Sequence, residues 1–110
     1  MENPTPGEFY RAEILTEEHT FKNLGGILGF LVPGSKVPYH YHTNRESIII
    51  ALSGEAVEII DDKEITLKPG DVICISPGER HGTENRSDKD FRYLEFFTCP
   101  PLKSDFIEIK

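Results

Sequence analysis

The chain has 110 residues, with 12 Lys plus Arg against 19 Asp plus Glu and a formal net charge of −7. That length predicts a single domain, 1–110, with one real hydrophobic core. The acidic balance leaves no basic excess to meet nucleic-acid phosphates or anionic lipid. The longest uninterrupted apolar run covers residues 48–52, far short of the roughly 20 residues that span a bilayer. The opening residues, MENPTPGEF, carry neither a basic nor an apolar signal region, so a cytoplasmic protein is expected.

In chain order, residues 1–7, with Pro4, Pro6 and Gly7, read as a loose arm. Residues 9–15 suit an edge strand. An equally plausible alternative is a short helical turn within 13–22, where Thr16 precedes Glu17 and Glu18 as an N-cap would. After that, Pro33-Gly34, Ser53-Gly54, Pro69-Gly70 and Pro77-Gly78 act as turn signals between segments rich in Ile, Val, Tyr and Phe. The predicted strands are 27–32, 47–52, 56–60, 64–67, 72–75 and 91–98, with a hairpin turning at 61–63. Short strands at this regular spacing predict an all-β sandwich or barrel. Pro100-Pro101 ends the last strong strand, and 106–109 forms a β-prone tail suited to pairing with the barrel or with a partner chain.

The two cysteines, Cys74 and Cys99, stand outside any C-x-x-C pattern and read as reduced thiols. The histidines are more informative. His40 and His42 are two apart, so on a strand both imidazoles project from one face, a natural seat for a metal. Taken alone, that pair fits a solvated surface pair equally well.

The flanking spacing is what separates the two. Gly34 precedes His40 by five intervening residues, Glu46 follows His42 after three, and Gly54 closes the segment. Further on come Gly70, five residues, Ser76-Pro77-Gly78, two residues, His81, three residues and Asn85. These two stretches resemble the paired motifs of the cupin superfamily, and the resemblance covers 25–98. It implies a double-stranded β-helix (jelly-roll) barrel with a divalent transition metal (Fe, Mn, Ni, Cu or Zn) inside. His40, His42, Glu46 and His81 would be the ligands, and Asn85 would fix the loop behind His81. Two positions depart from the pattern. Ser76 stands where the family has Pro, and seven residues rather than six separate Glu46 from Gly54. Counting forward from His42 favours Glu46 as the carboxylate ligand; counting back from Gly54 puts Ser47 in the slot.

The remaining polar residues are expected to matter less. His19 reads as solvent-exposed, Arg45 as half of a surface ion pair, and Glu58, Asp61, Asp62 and Glu64 as a solvated hairpin. Tyr39, Tyr41, Tyr93, Phe96 and Phe97 read as core or cavity wall. Glu95 becomes a candidate general base if it faces inward, although outward solvation is the favoured reading. Two functions are compatible with this: a metal-dependent enzyme of oxygenase or isomerase type acting on a small organic molecule, or a non-catalytic small-molecule sensor. A cavity-facing acid or base beside the metal would separate them. The resemblance also implies a homodimer.

Overall fold

The computed structural model describes residues 9–15, 23–98 and 105–109. Among these residues the chain is all β, with ten strands. They are β1 (Phe9–Leu15), β2 (Leu24–Leu31), β3 (Lys36–Tyr41), β4 (Ser47–Ser53), β5 (Ala56–Ile60), β6 (Lys63–Leu67), β7 (Val72–Ile75), β8 (His81–Glu84), β9 (Phe91–Thr98) and β10 (Ile107–Glu108). They form two five-stranded antiparallel sheets, ordered β1-β2-β9-β4-β7 and β10-β3-β8-β5-β6. The neighbours in each sheet are mostly distant in sequence, as a double-stranded β-helix requires. No helix among the described residues is long and apolar enough to cross a membrane.

The strands arise where β-branched and aromatic residues collect, and the turns where the chain must adopt positive φ. The β5–β6 hairpin turns at Asp61 and Asp62, whose φ angles are 46° and 69°. That is the pair of left-handed residues a two-residue hairpin loop demands. β2 carries glycines at inward positions for a packing reason. A Cβ at Gly29 would overlap the Tyr93 ring opposite it on β9, and one at Gly25 would overlap Phe97. The aromatic side chains of β9 therefore lie over a bare stretch of β2. Ile27, Leu31, Ile49, Ala51, Phe91 and Phe97 are nearly inaccessible and form the centre of the core.

All six predicted strands are present, with 27–32 extended back to Leu24 and ending at Leu31. Two further strands, β3 and β8, have sequences that look poor for a sheet. β3 contains Pro38, which sits at a break in the pairing register between Val37 and His40. β8 is the polar tetrapeptide His81-Gly82-Thr83-Glu84. Of the two readings for the early segment, 9–15 is a strand; 16–22, including His19, lies outside the described residues, as does Cys99. The tail pairs with this chain's own barrel, Ile107 opposite Tyr41 and Glu108 opposite His40.

Candidate metal centre

β3 and β8 run antiparallel, with His40 directly opposite His81. His42 follows two residues after His40, where β3 has just ended. The three side chains are buried, at 5, 3 and 3% exposure. Each offers a ring nitrogen within 4.8 Å of the other two. Ring centroids are 4.1 Å apart for His40–His81, 4.9 Å for His40–His42 and 5.2 Å for His42–His81.

The second ring nitrogens are all engaged. His40 Nδ1 lies 2.6 Å from the Pro38 carbonyl, His81 Nδ1 lies 3.1 Å from the Glu79 carbonyl, and His42 Nδ1 lies 2.5 Å from the Asp105 carbonyl. A carbonyl only accepts, so each Nδ1 carries the proton and donates it. The lone pair of each ring then resides on Nε2. Burial is the largest cause of lowered pKa values at all three rings, to about 3 at His40 and about 4 at His81, with His42 also lowered. Neutral imidazoles with a fixed tautomer and convergent lone pairs are what a divalent transition metal needs. The donor set fits such an ion.

Glu46 is not in this cluster. It is exposed and lies along an outer groove of about 320 Å³ shared with Ile48, Cys74 and Phe96. Ser47 instead is buried, at 4% exposure, and begins the inward series Ser47, Ile49, Ala51 of β4. The sheet thus places the serine on the barrel's inner face and the glutamate on its outer one.

Three other expectations are corrected by the fold. Glu95 faces inward and lines the same cavity as the histidines, with Arg11, Arg45, Tyr93 and Phe106. Burial raises its carboxyl above the usual range, while the Ser47 hydroxyl and the guanidinium groups of Arg45 and Arg11 pull it partly back. Arg45 is 1% exposed rather than a surface residue, its guanidinium 4.5 Å above the centre of the Phe97 ring and its Nε donating to the Thr98 carbonyl at 3.3 Å. Glu58 is fully buried, accepts a 2.5 Å hydrogen bond from Thr83 Oγ1, and is pushed up by burial to about 8. Its β5 neighbours Val57, Ile59 and Ile60 are apolar on both faces, so alternation could not reveal its direction. Glu64 and Asp61 do lie on the surface, where they meet Arg86 and Arg80. Tyr93 and Phe97 form core and wall, whereas Phe96 faces outward.

Asn85 anchors the loop after β8. Its Nδ2 donates to the carbonyls of Leu31 and Lys89 at 2.8 and 2.7 Å, and its Oδ1 accepts from the backbone and hydroxyl of Ser87. Asp105 and Phe106 are site residues that the sequence did not disclose. Asp105 lies beyond both motifs, and its only local signal is its position just before a β-prone tail.

The chain belongs to the cupin family: the Cupin domain pattern matches residues 28–97. It is 34% identical over 90 residues to the oxalate-binding protein of Thermotoga maritima, covering 80% of this chain and 74% of that one. It is 28% identical over 88 residues to the tetracenomycin polyketide synthase protein TcmJ of Streptomyces glaucescens, covering 76% of this chain and 58% of that one. Among solved structures it superposes on a double-stranded β-helix protein from Klebsiella pneumoniae with TM-score 0.81 and 24% identity, covering 98% of this chain and 90% of that one. A predicted oxalate decarboxylase from Thermotoga maritima matches with TM-score 0.78 and 29% identity, covering 84% and 81% of the two chains.

Proposed function

We propose that this chain is a metal-dependent cupin enzyme that binds a small carboxylate-bearing molecule inside the barrel and moves a proton on it. His40, His42 and His81 would hold the ion, which would supply Lewis acidity or redox chemistry to a bound ligand. The observation carrying the enzymatic reading is Glu95, an ionisable group with a raised pKa lining the cavity of the three histidines. A buried carboxyl whose pKa is raised, beside the imidazole cluster, is suited to accept and return a proton. Arg11 and Arg45 line the same cavity and favour an anionic ligand. The name of the Thermotoga maritima relative, an oxalate-binding protein, points to the same chemistry and also supports the second reading, a binding protein without turnover.

The test begins with metal content: about one divalent ion per chain is expected, lost in His81→Ala and retained in Glu46→Gln. The loaded protein is then offered oxalate, other small carboxylates and diketones under oxygen, with oxygen uptake and product formation followed. Turnover that falls at least about 100-fold in Glu95→Gln, with ligand binding retained, supports an acid–base role. Saturable binding with no turnover across the panel favours the binding protein. We infer in addition that two copies associate through the outer face of the β1-β2-β9-β4-β7 sheet.

A further inference from the structure

We propose that the C-terminal strand is a working part of the metal site: Asp105 positions His42, and Phe106 is the wall that sets the size of what reaches the imidazoles. The proposal rests on the metal-site reading above.

The three histidines differ in how their rings are held. His40 and His81 donate to carbonyls two residues back on their own segments, Pro38 and Glu79. Local backbone geometry therefore orients both. The partner of His42 is the carbonyl of Asp105, 63 residues away. Its tautomer and orientation depend on where the C-terminal segment docks.

That docking is concentrated on one carboxylate. Asp105 accepts hydrogen bonds from the Thr43 amide at 2.6 Å, the Thr43 hydroxyl at 2.5 Å, the Asn44 amide at 2.6 Å and the Arg45 amide at 3.0 Å. It thus ties off the turn that directly follows His42. Asp105 itself has φ of 55°, a left-handed conformation that Asp and Asn tolerate better than most residues. Beyond it, β10 adds only two paired residues, with one further bond from the Ile109 amide to the Tyr39 carbonyl at 3.0 Å. So short a strand needs another anchor, and the Asp105 carboxylate supplies it.

The next side chain closes the site. The Phe106 ring stacks on His40 at 4.1 Å between centroids and 19° between planes, and meets His42 edge-on at 5.9 Å. With Phe106 in place the cavity has about 20 Å³ of free volume. That is room for about one water molecule or an ion, so a ligand as large as an aromatic carboxylate must displace the ring.

The experiment uses the full chain. In the metal-free protein, nitrogen-15 NMR of the histidine rings should show all three protonated at Nδ1. Asp105→Ala should lose that single tautomer at His42 alone, and Zn²⁺ affinity, measured by chelator competition, should fall about 10- to 100-fold, as for other residues that orient a ligand. Asp105→Asn, which keeps one acceptor oxygen and tolerates the left-handed backbone, should recover part of both and gives the same readout if the alanine variant fails to fold. Phe106→Ala should bind Zn²⁺ about as the parent does. Its Co²⁺ form should respond spectroscopically to benzoate as well as formate, where the parent responds to formate alone. An unchanged His42 tautomer in both Asp105 variants would overturn the positioning role, and equal benzoate response would overturn the wall. If the parent binds no Zn²⁺ the metal reading itself fails, while the tautomer measurement still decides the role of Asp105.

Discussion

Burying titratable groups side by side gives this barrel opposing responses to pH. The folded pKa values of His40 and His81 lie below their ordinary 6.5, and that of His42 is lowered too. On acidification the unfolded chain takes up those protons first, so stability is lost as pH falls from about 6.5 toward about 4. Glu58 behaves in the opposite sense. Its folded pKa of about 8 exceeds the ordinary 4.5, so the native state holds a proton that the unfolded chain releases between these values. Stability from Glu58 is therefore lost as pH rises, by up to about 1.4 kcal/mol per unit where the two states differ by a full proton. Glu95 is raised as well and adds the same sign. Above about pH 6.5 the imidazoles of His40 and His81 are neutral in both states, and the carboxyl effect remains. Urea midpoints of the metal-free protein should fall as pH rises from about 6.5 toward 8, and Glu58→Gln should flatten that decline. A midpoint still climbing at pH 8 would contradict this account.

The strands and their connections rely on a few buried polar anchors, and the residues 85–90 that join β8 to β9 show the pattern. Asn85 is 1% exposed and its side chain makes four hydrogen bonds, one of them to β2 in the other sheet. Replacement by alanine takes the Nδ2 donor from the buried Leu31 carbonyl and leaves the Lys89 carbonyl with the Ser87 hydroxyl. We expect Asn85→Ala to cost about 1–3 kcal/mol in a urea melt, with His81 metal affinity changed much less. Indistinguishable midpoints would mean that other contacts fix this loop. The position of Asn85 in the second motif was legible in the sequence, because glycine, histidine and asparagine recur there at fixed local spacing. For β10 the β-prone tail was legible, but its choice between this barrel and a partner chain, and its register on β3, were not. A two-residue strand has no periodicity to read, and its partner β3 is interrupted by Pro38.

The assembled barrel has unlike outer surfaces. Leu28, Leu94, Ile50 and Val72 form one cross-strand row over β2, β9, β4 and β7, on the face that points away from the core. Ile48, Leu52 and Val72 on the same sheet are 42, 43 and 55% exposed. A contiguous apolar face of this kind suits the association of two copies proposed above. Sedimentation should give a dimer for the parent and a monomer for the double variant Ile48→Lys, Val72→Lys. A parent sedimenting as a monomer at high concentration would remove the proposed role of this face.

The same two-faced apolarity explains where sequence reasoning stopped. Turn signals and motif spacing are local, so six of the strands could be read along the chain, and the cupin resemblance of the two motifs implied the barrel and the approach of His40, His42 and His81. Strand alternation chooses a face only when one face is polar. In β4, β5 and β9 both faces carry Ile, Val, Leu or Phe, so Ser47 against Glu46, Glu58 and Glu95 could not be assigned inward or outward. Arg45, in the turn before β4, had no strand period at all, and its burial depends on the Phe97 ring brought beneath it. Asp105 and Phe106 meet the histidines only because a strand more than sixty residues later docks on β3. The resemblance carried by two motifs along the chain implied that the three imidazoles meet, and packing across it decided which acids share their cavity and what covers them.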